Sequence, residues 1–105
     1  MLTEQQIIEI ANNHIKMFEA EVGELIAPKE AMVKKPYGIY FRYVLKKYYE
    51  TRNEKYNTLL GNAPFLVQNK DGKIIEFGTF RSLDYYIKEY EAGRWPNMPL
   101  LSDFE

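Results

Sequence analysis

The stretch KKPYGIYFRYVLKKYYETR, residues 34–52, decides the fold because its centre alternates in polarity. One face of the alternation carries Tyr37, Ile39, Phe41, Tyr43 and Leu45. The other face carries Tyr40, Arg42, Val44 and Lys46. Such alternation is typical of a strand that is half-buried in an antiparallel sheet. We therefore predict that the odd-numbered face packs inside and that the mixed even-numbered face meets solvent or a partner.

Further strands are predicted on both sides of this stretch. EAMVKK, residues 30–35, precedes Pro36 and is predicted to form a short edge strand, since proline marks the end of a strand. PFLVQNKDGKIIEFG, residues 64–78, is predicted to be a hairpin. Its turn spans 69–72, where Asp71 favours the turn and Gly72 supplies a positive φ.

Helices are predicted at the two ends of the chain. TEQQ, residues 3–6, forms a capping box that starts a helix over about 4–21, and an apolar residue recurs behind it at every third or fourth position. A second helix begins at Ser82, its N-cap, and ends at Gly93. Its buried stripe consists of Leu83, Tyr86, Ile87 and Tyr90.

The predicted class is α+β, with one domain over residues 1–105. An N-terminal helix, a three- to four-stranded antiparallel sheet with a central hairpin, and a C-terminal helix follow in order. We expect the two helices to cover one face of the sheet and to leave the other open. Residues 46–63 lose the alternation, so part of this long connection forms a loop, a strand extension or a short helix. Residues 93–105 are predicted to be an irregular tail that Trp95 holds in place.

Composition excludes several classes of protein. The chain has no cysteine, which rules out disulfides, thiolate zinc sites and cysteine nucleophiles and fits a cytoplasmic location. No stretch approaches the roughly 20 apolar residues that a membrane span needs, so no membrane association is expected. The net charge is −1, yet residues 29–55 hold eight bases and three acids, a local excess of +5. This excess favours an acidic partner but is small for a nucleic-acid binder.

The sequence contains no clear set of catalytic residues. His14 is the single histidine, and the positions three and four residues away offer no second ligand, so we interpret it as a partly buried core residue. The acid pairs lie two residues apart on helices and do not face each other. The sequence therefore predicts no enzyme activity, no metal and no cofactor.

The residues alone leave three interpretations of the even-numbered face open. It can be a solvated sheet face, a protein-binding surface or a surface for single-stranded nucleic acid. The last is the weakest, because only Tyr40 and Tyr48 would be available for base stacking. An uncovered sheet edge or aromatic face would also allow a homodimer.

Residues 36 to about 91 resemble the YrhB-like immunity-protein domain family, immunity protein family thirty-five of bacterial polymorphic toxin systems. Three segments carry the resemblance: PYGIYFRY at 36–43, LLGNAPFLVQNKDGKIIEFGT at 59–79 and SLDYYIKEYEAG at 82–93. The chain departs from the family at Ile39, where tryptophan is common, and in the long charged segment 46–60.

The resemblance implies a non-catalytic protein that binds a cognate protein toxin and neutralises it by occlusion. A chaperone-like or general interaction domain is the alternative. The resemblance does not assign the binding surface, which we predict from residue chemistry alone. The expected partner-binding residues are Tyr40, Arg42, Lys46, Tyr48, Tyr49, Arg52 and Tyr56. Gly61, Asn62 and Pro64 are expected to shape the start of the hairpin, and Asp71 and Gly72 its turn.

Overall fold

An antiparallel sheet of four strands lies between two helices in the computed structural model, which describes residues 1–19, 23–53, 63–79 and 81–95. The helices are α1 (Glu4–Lys16), α2 (Lys46–Thr51) and α3 (Leu83–Glu91), with a 3-10 turn at Lys29–Ala31. The strands are β1 (Leu25–Ile26), β2 (Val33–Lys35), β3 (Gly38–Phe41), β4 (Val44–Leu45), β5 (Phe65–Gln68) and β6 (Ile74–Glu76). The predicted α+β class is confirmed. Within the described ranges, no helix has the length and apolar character needed to cross a bilayer.

The main sheet has the strand order β2-β3-β5-β6, and β1 pairs with β4 in a separate two-stranded sheet. All pairs are antiparallel, with Ile39 opposite Val67 and Phe41 opposite Phe65. The predicted edge strand before Pro36 is confirmed as β2. The predicted hairpin is confirmed as β5 and β6.

The α1 helix begins at the predicted capping box. Thr3 Oγ1 accepts a hydrogen bond from the Gln6 N–H at 3.2 Å, and Gln6 Oε1 accepts one from the Thr3 N–H at 2.9 Å. The helix ends at Lys16, five residues before the predicted end. The Met17 N–H donates to the His14 carbonyl, and this three-residue step tightens the last turn and closes the helix.

Four residues of the predicted inward face pack in the cluster beneath α1, as predicted: Ile39, Phe41, Tyr43 and Leu45. Tyr37 was placed on the same face but packs on the opposite side of the sheet, beside Tyr40. Ile7, Ala11 and Ile15 of α1 are buried. They join a core cluster that also contains Leu25, Ile39, Phe41, Tyr43, Phe65 and Val67. Removal of this apolar surface from water is the main stabilising contribution on this side of the sheet.

The opposite face is also covered, so the expectation of an open face was wrong. Tyr40 is 0% exposed and packs in a second cluster with Leu66, Phe77, Leu83, Tyr86 and Ile87. Tyr40 lies directly opposite Leu66 in the register of β3 and β5. Two adjacent large apolar groups form a surface that the apolar stripe of α3 buries.

The predicted continuous strand over 37–46 is interrupted. The β3 strand ends at Phe41, and the chain leaves the main sheet at Arg42. Val44 and Leu45 then pair with β1 instead, and the Lys46 N–H donates to the Glu24 carbonyl at 2.9 Å. The short helix considered for the 46–63 segment is present as α2.

Trp95 holds the start of the tail, as predicted. Its indole N–H donates to the Glu76 carbonyl at 3.0 Å. Its ring lies 5.4 Å from the rings of both Phe77 and Tyr86. Trp95 therefore closes the second cluster, and residues 96–105 lie outside the described part of the chain.

Candidate partner-binding site

The α2 helix ends in an unusual backbone conformation. Arg52 has φ 55° and ψ 24°, and it is the one non-glycine residue with positive φ among the described residues. Its N–H donates to the Tyr48 carbonyl at 2.7 Å, which closes the helix. Glycine usually occupies this left-handed position, and a larger residue there costs about 1–2 kcal/mol. Such outliers concentrate at functional sites.

This conformation places the Arg52 side chain on the aromatic residues of α2. The guanidinium carbon lies 4.7 Å from the ring centroid of Tyr49 and 6.0 Å from that of Tyr48. At these distances the ring faces attract the cation. The stacking fixes a planar group that can bind a carboxylate or phosphate through two parallel hydrogen bonds.

An open groove of about 340 Å³ lies between the 3-10 turn, the segment 42–44 and the end of α2. We call it the arginine groove. Its lining residues are Pro28, Glu30, Ala31, Arg42, Tyr43, Val44, Tyr49 and Arg52. The pairing of β1 with β4 brings these segments together, because it returns the chain beside the residues that precede the 3-10 turn.

Glu30 and Tyr49 form the polar contact within the arginine groove. The Tyr49 hydroxyl donates to Glu30 Oε1 at 2.6 Å. This hydrogen bond is the largest influence that lowers the pKa of Glu30, and the backbone N–H of Glu30 and the charge of Arg52 lower it further. The same bond raises the pKa of the Tyr49 phenol. At neutral pH the groove therefore contains an ionised carboxylate held by a neutral phenol.

The two arginines make the described lining of the groove positively charged. Neither Arg42 nor Arg52 has a carboxylate within ion-pairing distance among the residues that the structure describes. Both residues are exposed. Glu30 is the one acid among the described lining residues, so the formal charge of this lining is +1.

The structure brings together three of the predicted partner-binding residues: Arg42, Tyr49 and Arg52 line one groove. Tyr48 is half-buried next to Arg52. Lys46 is engaged elsewhere, because its Nζ lies 3.1 Å from the Glu24 carboxylate, and this contact raises the pKa of Lys46.

Tyr40 is not part of any exposed surface, and its assignment to the partner-binding set was wrong. The sheet pleat places it under α3, where its hydroxyl forms a 2.7 Å hydrogen bond with that of Tyr37. The Tyr37 hydroxyl in turn donates to the Glu91 carboxylate at 2.8 Å. Burial above all, and then the hydrogen bonds to Tyr40 and Glu91, raise the pKa of Tyr37.

The other residues with a predicted role were expected to shape the hairpin of β5 and β6. Pro64 is buried, and its carbonyl accepts from the Phe77 N–H at 3.0 Å. Asp71 Oδ1 accepts from the Lys73 N–H at 2.9 Å, and Gly72 has a φ of +73°. The predictions for Tyr56, Gly61 and Asn62 fall outside the described residues.

Glu30 is the groove residue that sequence reasoning missed. No motif marks it, since its contact with Tyr49 spans 19 positions and depends on the path of β1 and β4. His14 agrees with its interpretation as a partly buried core residue: it packs edge-on against Phe65, with ring centroids 4.7 Å apart. Within residues 1–19, 23–53, 63–79 and 81–95, no cluster of three or more metal-ligating side chains occurs.

Replacing Tyr49 with phenylalanine is expected to raise the pKa of Glu30 towards its usual range. The substitution removes the hydrogen bond that most stabilises the ionised carboxylate. The measurement is an NMR titration of the Glu30 side-chain carboxyl carbon. Tyr48→Phe is the matched control and leaves the Glu30 titration unchanged. An unchanged titration in Tyr49→Phe would show that this hydrogen bond does not form in solution.

The fold and the groove define a small α+β protein with a cluster of arginine and tyrosine side chains at its surface. Over 54 residues the chain is 37% identical to the uncharacterized protein YrhB of Escherichia coli (strain K12). The match covers 51% of this chain and 56% of YrhB, so the chain spans about half the length of the curated relative it matches. No protein-family model and no solved structure matches the chain significantly. The likeness to YrhB supports the YrhB-like part of the resemblance.

Proposed function

We propose that this is a non-catalytic, immunity-type protein that binds a cognate protein toxin in the bacterial cytoplasm and neutralises it by occlusion. The arginine groove is the surface that carries the proposal. Arginine and tyrosine dominate the binding energy of many protein interfaces, since each combines a large contact area with a directed polar group. Arg42, Tyr49 and Arg52 place three such side chains in one exposed groove.

Contacts within the arginine groove hold its side chains in place and so favour binding without large rearrangement. Tyr49 is held by Glu30, and Arg52 is stacked on Tyr49. Side chains that are ordered before binding lose less conformational entropy when the complex forms. This is the property an inhibitor needs if it is to block another protein tightly.

Because Tyr40 is buried, the proposed interface does not include the even-numbered face of β3 and lies at α2 instead. The strand face first considered for binding is covered by α3, whereas α2 stays at the surface, with half-buried tyrosines and an exposed Arg52. The interface therefore centres on the segment 42–52 and the 3-10 turn.

A chaperone-like role would require an exposed apolar surface for unfolded chains. Among the described residues, the large exposed hydrophobics are Met1, Met17 and Phe18, which lie outside the arginine groove. The groove itself combines charged and aromatic groups. This composition favours a dedicated partner over many unfolded clients.

The test combines affinity purification from the bacterial host with a growth assay. Three tagged proteins are compared: wild type, Arg42→Glu/Arg52→Glu, and the control Lys70→Glu/Lys88→Glu. The control makes the same charge change at exposed positions outside the groove. We expect one stoichiometric partner with wild type and control, and its loss with the groove variant. The partner, expressed alone, should stop growth, and wild type and control should restore it.

Two outcomes would contradict the proposal. In the first, wild type recovers many proteins in small amounts and none of them is toxic, as a chaperone-like domain would. In the second, the groove variant protects growth as well as the control does, which would place the neutralising surface elsewhere.

A further inference from the structure

We infer that the arginine groove takes a carboxylate of an acidic protein segment, and that Glu30 weakens this binding by repulsion. This inference rests on the proposed function and names the chemistry of the partner group. The groove already holds one carboxylate from its own chain, since Glu30 Oε1 accepts a hydrogen bond from the Tyr49 hydroxyl at 2.6 Å. The site is therefore of a size and polarity that suit a carboxyl group.

One carboxylate does not satisfy two guanidinium groups. Arg42 and Arg52 line the same groove, and among the described residues neither makes an ion pair. A guanidinium presents two parallel N–H donors whose spacing matches the two oxygens of a carboxylate. The unmet donors of the groove thus fit one further carboxylate, supplied from outside.

Three lysines of the basic segment 29–55 bear on whether the partner group is an acidic side chain or a nucleic-acid strand. Lys34, Lys35 and Lys46 each pair with a glutamate from another part of the chain. Their charges are therefore largely compensated, so these three lysines do not extend the charge of the two groove arginines into a row of free cations. A nucleic-acid strand binds to a row of cations that follows its phosphates, whereas an isolated pair of arginines suits a single acidic side chain.

Glu30 lowers the affinity for such a group because it lies in the same groove and has the same sign of charge. Its replacement by glutamine removes the repulsion, keeps the size of the side chain and retains an acceptor for the Tyr49 hydroxyl. The formal charge of the groove then rises from +1 to +2. The two arginines and Glu30 should therefore shift the affinity in opposite directions, which a purely structural role would not produce.

The test is an NMR titration of ¹⁵N-labelled protein with a blocked peptide of alternating glutamate and glycine, at low salt. We expect saturable shifts of the Arg42 and Arg52 side-chain resonances. Arg42→Gln and Arg52→Gln should each weaken binding by about fivefold, the upper range for an exposed ion pair. Glu30→Gln should strengthen it by about twofold. Lys70→Gln, which removes one exposed positive charge outside the groove, should change nothing.

The inference is overturned if the peptide shifts no groove resonance, if a lysine–glycine peptide binds equally well, or if a single-stranded oligonucleotide binds more tightly to the same residues. Unchanged affinity in Glu30→Gln would overturn the role of Glu30. The proposed function fails separately, in the growth assay. A groove variant that loses neutralisation while wild type ignores the acidic peptide would keep the function and reject this partner chemistry.

Discussion

Replacing Tyr40 with alanine is expected to lower the free energy of unfolding by about 3–5 kcal/mol, the range for deleting a fully buried aromatic side chain. Tyr40 is 0% exposed and contacts the second cluster beneath α3. The loss is a large share of the roughly 5–15 kcal/mol that stabilises a domain. Urea unfolding followed by circular dichroism measures it.

Two companion variants separate the contributions of Tyr40. Tyr40→Phe keeps the ring and removes the hydrogen bond to Tyr37, so we expect a loss of about 1 kcal/mol. Arg42→Ala, two residues further on and exposed, should stay within about 0.5 kcal/mol of wild type. If Tyr40→Ala were as stable as Arg42→Ala, the covering of the sheet by α3 would be wrong.

Replacing Gly38 with alanine is expected to cost about 3 kcal/mol, the upper range for overpacking a core. A Cβ at this position would lie 2.3 Å from the Val67 carbonyl oxygen and 3.1 Å from the Gln68 Cα. Both atoms belong to the backbone of β5, so the strand itself must move to admit the methyl group. Thermal and urea unfolding of the variant measure the cost.

Gly93→Ala is the matched control for this substitution. A Cβ at Gly93 meets nothing within 4 Å, although the φ of +78° disfavours alanine there. We expect a loss of about 1 kcal/mol from backbone strain alone. Equal losses at Gly38 and Gly93 would contradict the close approach of β3 and β5.

Local signals predicted the elements whose boundaries local chemistry sets. The capping box at Thr3, the turn glycine at Gly72 and the N-cap at Ser82 all act within a few residues of their partners. The predicted end of α1 is too late, because the apolar periodicity of the sequence continues to Val22 while the hydrogen-bond pattern changes at Met17.

The sequence contains a signal that both faces of the sheet are buried, although the alternation in residues 37–46 indicated one buried and one open face. Phe65, Leu66 and Val67 form a continuous apolar run, which is typical of a strand buried on both faces. Leu66 of this run lies opposite Tyr40 and gives it an apolar neighbour on the even-numbered face. Tyrosine alone is ambiguous, because it serves cores and exposed surfaces equally well.

The candidate groove could be predicted only in part. The sequence predicted a binding role for Arg42, Tyr49 and Arg52 because basic and aromatic residues lie close together along this part of the chain. Glu30 and the separation of Lys46 from the groove depend on the two-residue strands β1 and β4, which are too short for a periodic signal. Contacts between distant segments of this kind require the three-dimensional structure.

The central claim is that a partner binds at the arginine groove, and hydrogen–deuterium exchange of the protein with its purified partner tests it most directly. The expected result is slower exchange over residues 28–31 and 42–52, with α3 and the turn at 69–72 unchanged. The Arg42→Glu/Arg52→Glu variant should show no such slowing. Slower exchange confined to α3 or to the 69–72 turn, with residues 42–52 unaffected, would contradict the claim.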